Sequence, residues 1–177
     1  MPRSQSGRGV RHRGPIDAPA DRTVTRTVAC ETLGMDIQVP EPPHTILVGL
    51  DGSEMSRRAA SYAAMLARSF DAEVVAAHAV GLLSVVDGES VPSDQVRDQV
   101  ARNCEDWCAP LREAEVTYRT VLDDGPPGLV LLRLAERLEV GLIVMGTRGI
   151  GSTDGVVLGS TSYHLVQHAR VPVLVTH

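Results

Sequence analysis

Runs in which nearly every position is apolar alternate along this chain with longer stretches whose apolar residues recur every three or four positions. The first run is HTILVGL, residues 44–50. Successive apolar positions, rather than alternating ones, are what a strand buried on both faces requires. Asp51-Gly52-Ser53 closes the run, and Ser53 is placed to cap a helix extending through residue 68. The alanines of that helix (Ala59, Ala60, Ala63, Ala64, Ala67) let it lie close on a sheet. Residues 73–80 are a second β-rich run, followed by a polar, Gly-containing loop that ends at Val91-Pro92.

Ser93 then opens a helix carrying Val96, Val100, Cys104, Trp107, Cys108 and Leu111 at spacings of three and four. Residues 116–122 alternate as a third strand, and Gly125-Pro126-Pro127 breaks it and sets a proline at a helix start. Residues 129–138 predict a helix, 142–145 a fourth strand, 160–168 a last helix and 171–175 a fifth strand. Strands alternating with helices imply β-α-β units and a parallel sheet covered on both faces. The expected fold is therefore α/β, a single doubly wound, Rossmann-like domain whose five-stranded sheet has the order 3-2-1-4-5. Such a fold hosts many functions and selects none.

The 177 residues suffice for one domain with one core. Charge is unevenly placed. Residues 1–26 hold six arginines (Arg3, Arg8, Arg11, Arg13, Arg22, Arg26) against Asp17 and Asp21, whereas the chain from His44 onward is acidic. Residues 1–43 are rich in Gly, Pro, Ser and Thr without a sustained apolar period, so they read as a disordered tail ahead of a folded domain at 44–177. A net charge of −5 argues against a nucleic-acid surface. No stretch has the apolar core of a signal peptide or the length of a membrane span, which makes a cytoplasmic protein with no membrane contact the simplest expectation.

Cys30, Cys104 and Cys108 are the only cysteines. Cys104 and Cys108 fall on one helix face with no third ligand at metal spacing, so small buried hydrophobes are expected rather than zinc. His164 and His168, four apart on the last helix, are expected on a solvated face, and His78 inside the second strand. No residue is assigned a structural-metal role.

The stretch GTRGIGSTDGVVLGS, residues 146–160, holds five glycines between the fourth strand and the last helix. Glycine loses more backbone entropy than any other residue on ordering, so such a cluster marks a close approach to the backbone. Leaving a buried strand and entering a helix amino terminus, it suits a phosphate: the helix end offers N–H groups and a positive dipole, Gly146, Gly149 and Gly159 clear the way, and Ser160 and Thr161 add hydroxyl donors. A P-loop is excluded because it needs lysine, and all 17 basic residues are arginine. A dinucleotide fingerprint fails on spacing and position, since it belongs after the first strand and only 26 residues follow Gly151.

Counted as Gly146-x2-Gly149-x9-Gly159-Ser160, the stretch resembles the motif G-x2-G-x9-G-[ST] of the ATP-binding branch of the universal stress protein family. The resemblance covers residues 44–177 and includes, in order, ILVGLDGSE (46–54), AAHAV (76–80), GPPGLVLLRLAE (125–136), LIVMGTRG (142–149) and the closing VPVLV. It implies ATP as ligand with an associated Mg2+. Asp51 then lies near the ribose, phosphates or divalent ion, with Gly49 beside it. The backbone of Ala79 contacts adenine, although valine is more usual there. Gly146, Arg148 and Gly149 line the ribose and phosphates, and Gly159, Ser160 and Thr161 hold the outer phosphates. Gly141 departs from the family, which often has aspartate before the fourth strand. Two plainer roles stand beside these: Asp51 as a turn residue before the Ser53 cap, and Arg148 as a solvent-facing side chain.

Three classes of function therefore compete. One is an ATP-binding regulatory module of the stress response with no catalytic residue. Another is an enzyme, a slow ATPase or a protein that phosphorylates itself on Ser160 or Thr161. A third possibility is a nucleotide-free dimerisation module. The apolar fifth strand, expected at the sheet edge, invites pairing with its own copy and hence a homodimer.

Overall fold

The computed structural model describes residues 40–80, 84–86, 89–91, 93–149 and 158–177. The arginine-rich arm, Met35 and the glycines Gly151 and Gly155 lie outside the described residues. The elements run β1 (Thr45–Gly49), α1 (Glu54–Phe70), β2 (Glu73–Val80), β3 (Ser84–Val86), β4 (Glu89–Val91), α2 (Ser93–Trp107), α3 (Ala109–Glu113), β5 (Tyr118–Asp124), α4 (Pro127–Arg137), β6 (Leu142–Gly146), α5 (Ser160–His168) and β7 (Val173–Thr176).

Five strands form one sheet in the order β5-β2-β1-β6-β7, all pairs parallel. In chain order this is the expected 3-2-1-4-5. The apolar runs are continuous because successive side chains enter different cores. Ile46, Val48, Val74, Ala76 and Val144 pack on one face with α1 and α3. Leu47, Val75, Ala77, Ile143 and Met145 pack on the other with Val130, Leu131 and Leu134 of α4 and Leu165 of α5. All five alanines of α1 are buried, so the helix backbone approaches the sheet closely. Its start is the anticipated one: the Ser53 Oγ accepts from the Ser56 N–H at 3.1 Å.

The structure differs from the expected pattern most clearly in three places. The loop after β2 contains an antiparallel hairpin, β3 paired with β4; Asp87-Gly88, the dipeptide separating the two strands, is a hairpin signal. The helix expected as continuous from Ser93 to Leu111 is two helices, because Pro110 has no N–H and its ring would strike the preceding turn. The Cys108 N–H donates to the Cys104 carbonyl at 2.9 Å before the chain re-enters helix at Ala109. The third main strand lies two residues later than the alternation suggested, at Tyr118–Asp124.

Candidate functional site

Strand order reverses between β1 and β6, and in open α/β sheets a ligand crevice forms beyond the carboxyl ends of strands at such a switch. A cavity of about 490 Å³ lies there, inside the usual range for small-ligand sites. All nine residues singled out in the sequence line it: Gly49, Asp51, Ala79, Gly146, Arg148, Gly149, Gly159, Ser160 and Thr161.

The β1 end builds one wall. The Asp51 Oδ1 accepts from the Ser53 N–H at 3.0 Å, so Asp51 does serve as a turn residue ahead of the cap, and it lines the cavity as well. The β6 end builds the opposite wall around Thr147. Its carbonyl accepts the Gly159 N–H at 2.7 Å and the Ser162 hydroxyl at 2.8 Å, while its own N–H donates to the Thr176 carbonyl at 2.7 Å. This pins both mouths of the glycine stretch together although residues 150–157 intervene. Gly159 is the N-cap of α5 and supplies no side-chain acceptor, and no acidic residue occupies the first turn. Gly159, Ser160 and Thr161 line the cavity, so the positive end of the helix dipole lies beside it.

The protein's own atoms crowd the space that a side chain would take at these glycines, most firmly at Gly146. A Cβ at Gly146 would lie 2.6 Å from the Met55 Cβ and 2.9 Å from its carbonyl carbon; one at Gly149 would strike the Asp51 Oδ2; one at Gly159 would sit 3.1 Å from the Thr147 carbonyl oxygen. Gly141, where the family pattern favours aspartate, is held against Pro43, which a Cβ would meet at 2.7 Å.

Further residues line the cavity without having been singled out. Leu131, Met145, Ala77 and Pro127 supply an apolar wall, and Ser162, Ser56 and Leu50 complete it. Their sequence signal is only that of core positions. His78 also reaches the cavity; its Nδ1 donates to the Leu50 carbonyl at 2.6 Å and its ring lies 5.0 Å from that of Trp107. Among the described lining residues the formally charged ones are Asp51 and Arg148, and Arg148 is half-buried rather than extended into solvent.

The other candidates resolve differently. Cys104 and Cys108 are buried free thiols; burial first, then the neighbouring Cys104, pushes the Cys108 thiol up to about 11. His164 does not sit on a solvated face as expected. It packs against Gly128 of α4, stacks on His168 with ring centres 4.3 Å apart and has a buried Nε2. Among the described residues no three His, Cys, Asp or Glu side chains converge as a metal site, and no helix is long and apolar enough to cross a membrane.

Fold and cavity together define a doubly wound α/β protein with a cavity at its switch point. The universal stress protein family model matches residues 43–177, and the chain belongs to that family. It is 34% identical over 143 residues to a universal stress protein of Bacillus subtilis, covering 73% of this chain and 96% of the relative. It is 30% identical over 178 residues to one of Mycobacterium tuberculosis, covering 96% of this chain and 59% of the relative. The chain thus spans about three fifths of that longer protein. A solved universal stress protein in complex with cAMP superposes with a TM-score of 0.62 at 23% identity, covering 77% of this chain and 98% of that one.

Proposed function

We propose that this chain is an ATP-binding regulatory module of the stress response. The observation that carries the reading is the convergence of Asp51, Ala79, Arg148 and Ser160, far apart in sequence, on one cavity of nucleotide size. The apolar wall of Leu131, Met145 and Ala77 suits a purine, and the α5 amino terminus with Ser160 and Thr161 suits phosphate oxygens. A superposable family member crystallised with an adenine nucleotide, cAMP, supports the ligand class. The donor set also fits a divalent ion: a carboxylate, Asp51, stands in the cavity whose opposite wall suits anions, and Mg2+ bound there would neutralise phosphate charge beside it. The outward edge of β7, the last strand of the sheet, would pair with a second copy to give a homodimer.

Incubating the purified chain with radiolabelled ATP and Mg2+ tests the reading. Retained, unchanged ATP is the expected result. Steady appearance of ADP, or label on Ser160 or Thr161, would favour the enzyme, and failure to bind ATP would defeat the proposal. Competition with unlabelled cAMP tells a triphosphate site from a cyclic-nucleotide one.

A further inference from the structure

Asp51 is bracketed by two contacts from elsewhere in the chain. On one side the His78 Nδ1 donates to the carbonyl of Leu50 at 2.6 Å. On the other, Gly52 adopts a left-handed φ of +83° directly under the indole of Trp107, so that a Cβ there would lie 2.8 Å from Nε1 and Cε2. The His78 and Trp107 rings also lie on each other, 5.0 Å between centres and tilted by 55°. One aromatic pair, drawn from β2 and the last turn of α2, therefore holds both residues that flank the carboxylate.

We propose that His78 and Trp107 are positioning residues that fix Asp51 in the nucleotide cavity. The chemistry sets the tautomer: a carbonyl oxygen only accepts, so Nδ1 carries the proton. Glycine at 52 both adopts the left-handed backbone readily and lacks the Cβ that would otherwise hold the indole away. The contact works only with glycine at 52 and a large flat ring at 107. Neither His78 nor Trp107 need touch the ligand for the pair to matter, because a loop residue gives a defined ligand geometry only when its neighbours are immobilised.

The Ser53 N–H reads the position of Asp51 without any nucleotide, since it donates to the Asp51 Oδ1 at 3.0 Å. In the ligand-free full chain, His78→Phe keeps a ring against Trp107 and deletes the donor; it should speed exchange of the Ser53 amide by about tenfold, the worth of one lost tether. His78→Asn, whose amide nitrogen occupies the Nδ1 position, should restore slow exchange. Trp107→Leu acts on Gly52 instead and should speed the same amide. The second arm rests on the ATP-binding reading: His78→Phe should weaken Mg-ATP binding about five- to tenfold but have no further effect in an Asp51→Asn background, a non-additivity that a general loss of stability would not give. Unchanged Ser53 exchange in folded His78→Phe and Trp107→Leu, or additive losses in the cycle, would overturn the proposal. A wild-type chain that binds no ATP would defeat the function proposed above, and the exchange comparison would still decide the bracket.

Discussion

Gly149 faces the carboxylate of Asp51 so closely that a Cβ there would strike Oδ2. One residue follows β1, the other follows β6, and both line the cavity between the two strands. Gly149→Ala must push the carboxylate aside. We expect Mg-dependent ATP binding to weaken by about tenfold, the scale of one interaction with a charged group, while the melting temperature changes little. Titration calorimetry with and without Mg2+ checks this, and unaltered Mg-ATP affinity would count against Asp51 as the residue beside the ion.

Charge placed at the α5 amino terminus should reject the ligand. Ser160 is exposed and lines the cavity, so Ser160→Glu folds without a clash, unlike Gly159→Glu, whose Cβ would press on the Thr147 carbonyl at 3.1 Å. Like charges about 4 Å apart repel by about 4 kcal/mol at an effective dielectric near 20. ATP affinity should fall by about a hundredfold or more. Ser160→Ala, which removes one hydroxyl donor, should lose far less.

Assembly is testable through β7. Val173, Leu174 and Val175 are only half-buried at the sheet edge. Pairing with a second copy would cover them, and arginine at 173 and 175 would set like charges across the two-fold. Light scattering at micromolar concentration should give two chains for the wild type and one for the double variant. A wild-type mass of one chain would refute the homodimer.

The buried thiols make a pH prediction. The Cys108 pKa is raised from 9.0 to about 11 in the folded state. The unfolded chain therefore releases this proton first, and stability is lost as pH rises from about 9 through about 11. Below pH 9 the contribution is fully present. Denaturant melts of wild type and Cys108→Ala should show the wild type alone losing that increment, and Cys108 should resist alkylation at pH 8 until the chain unfolds.

The arm ahead of the domain is expected to be dispensable. A chain beginning at Met35 should fold and bind ATP as the full chain does; lost affinity would show that the arginines contribute to binding.

Strands β1, β2 and β6 were legible because burial on both faces demands unbroken apolar runs, β5 was read from alternation and lies two residues later, and Ser53 and Pro127 marked helix starts through chemistry local to a few residues. The nine cavity residues were legible through the spacing of Gly146, Gly149 and Gly159 and the family landmarks around them. What escaped was carried by contacts distant in sequence. Nothing near Trp107 announces Gly52, and nothing in AAHAV announces that His78 reaches Leu50 rather than serving as core. His164 followed a helical period that fitted a solvated face, yet Gly128 lets α4 close over it. The break at Cys108 was visible in principle: Pro110 was there to be weighed against a periodicity that ran straight through it.

Gly146, Gly149 and Gly159 each leave space that Met55, Asp51 and Thr147 of the same chain occupy or crowd. The demand for glycine thus exists in the empty protein. A descendant that stopped using nucleotide would still be under selection to keep Gly146, because a side chain there would press on the Met55 backbone, whereas Gly149 faces only the movable end of Asp51. Glycine at 146 is therefore a poor meter of present occupancy. Positions that report current use are those whose identity packing leaves open, such as the exposed Ser160 at the mouth of α5. Drift there, with the glycines intact, is the signature by which a retired site would be recognised.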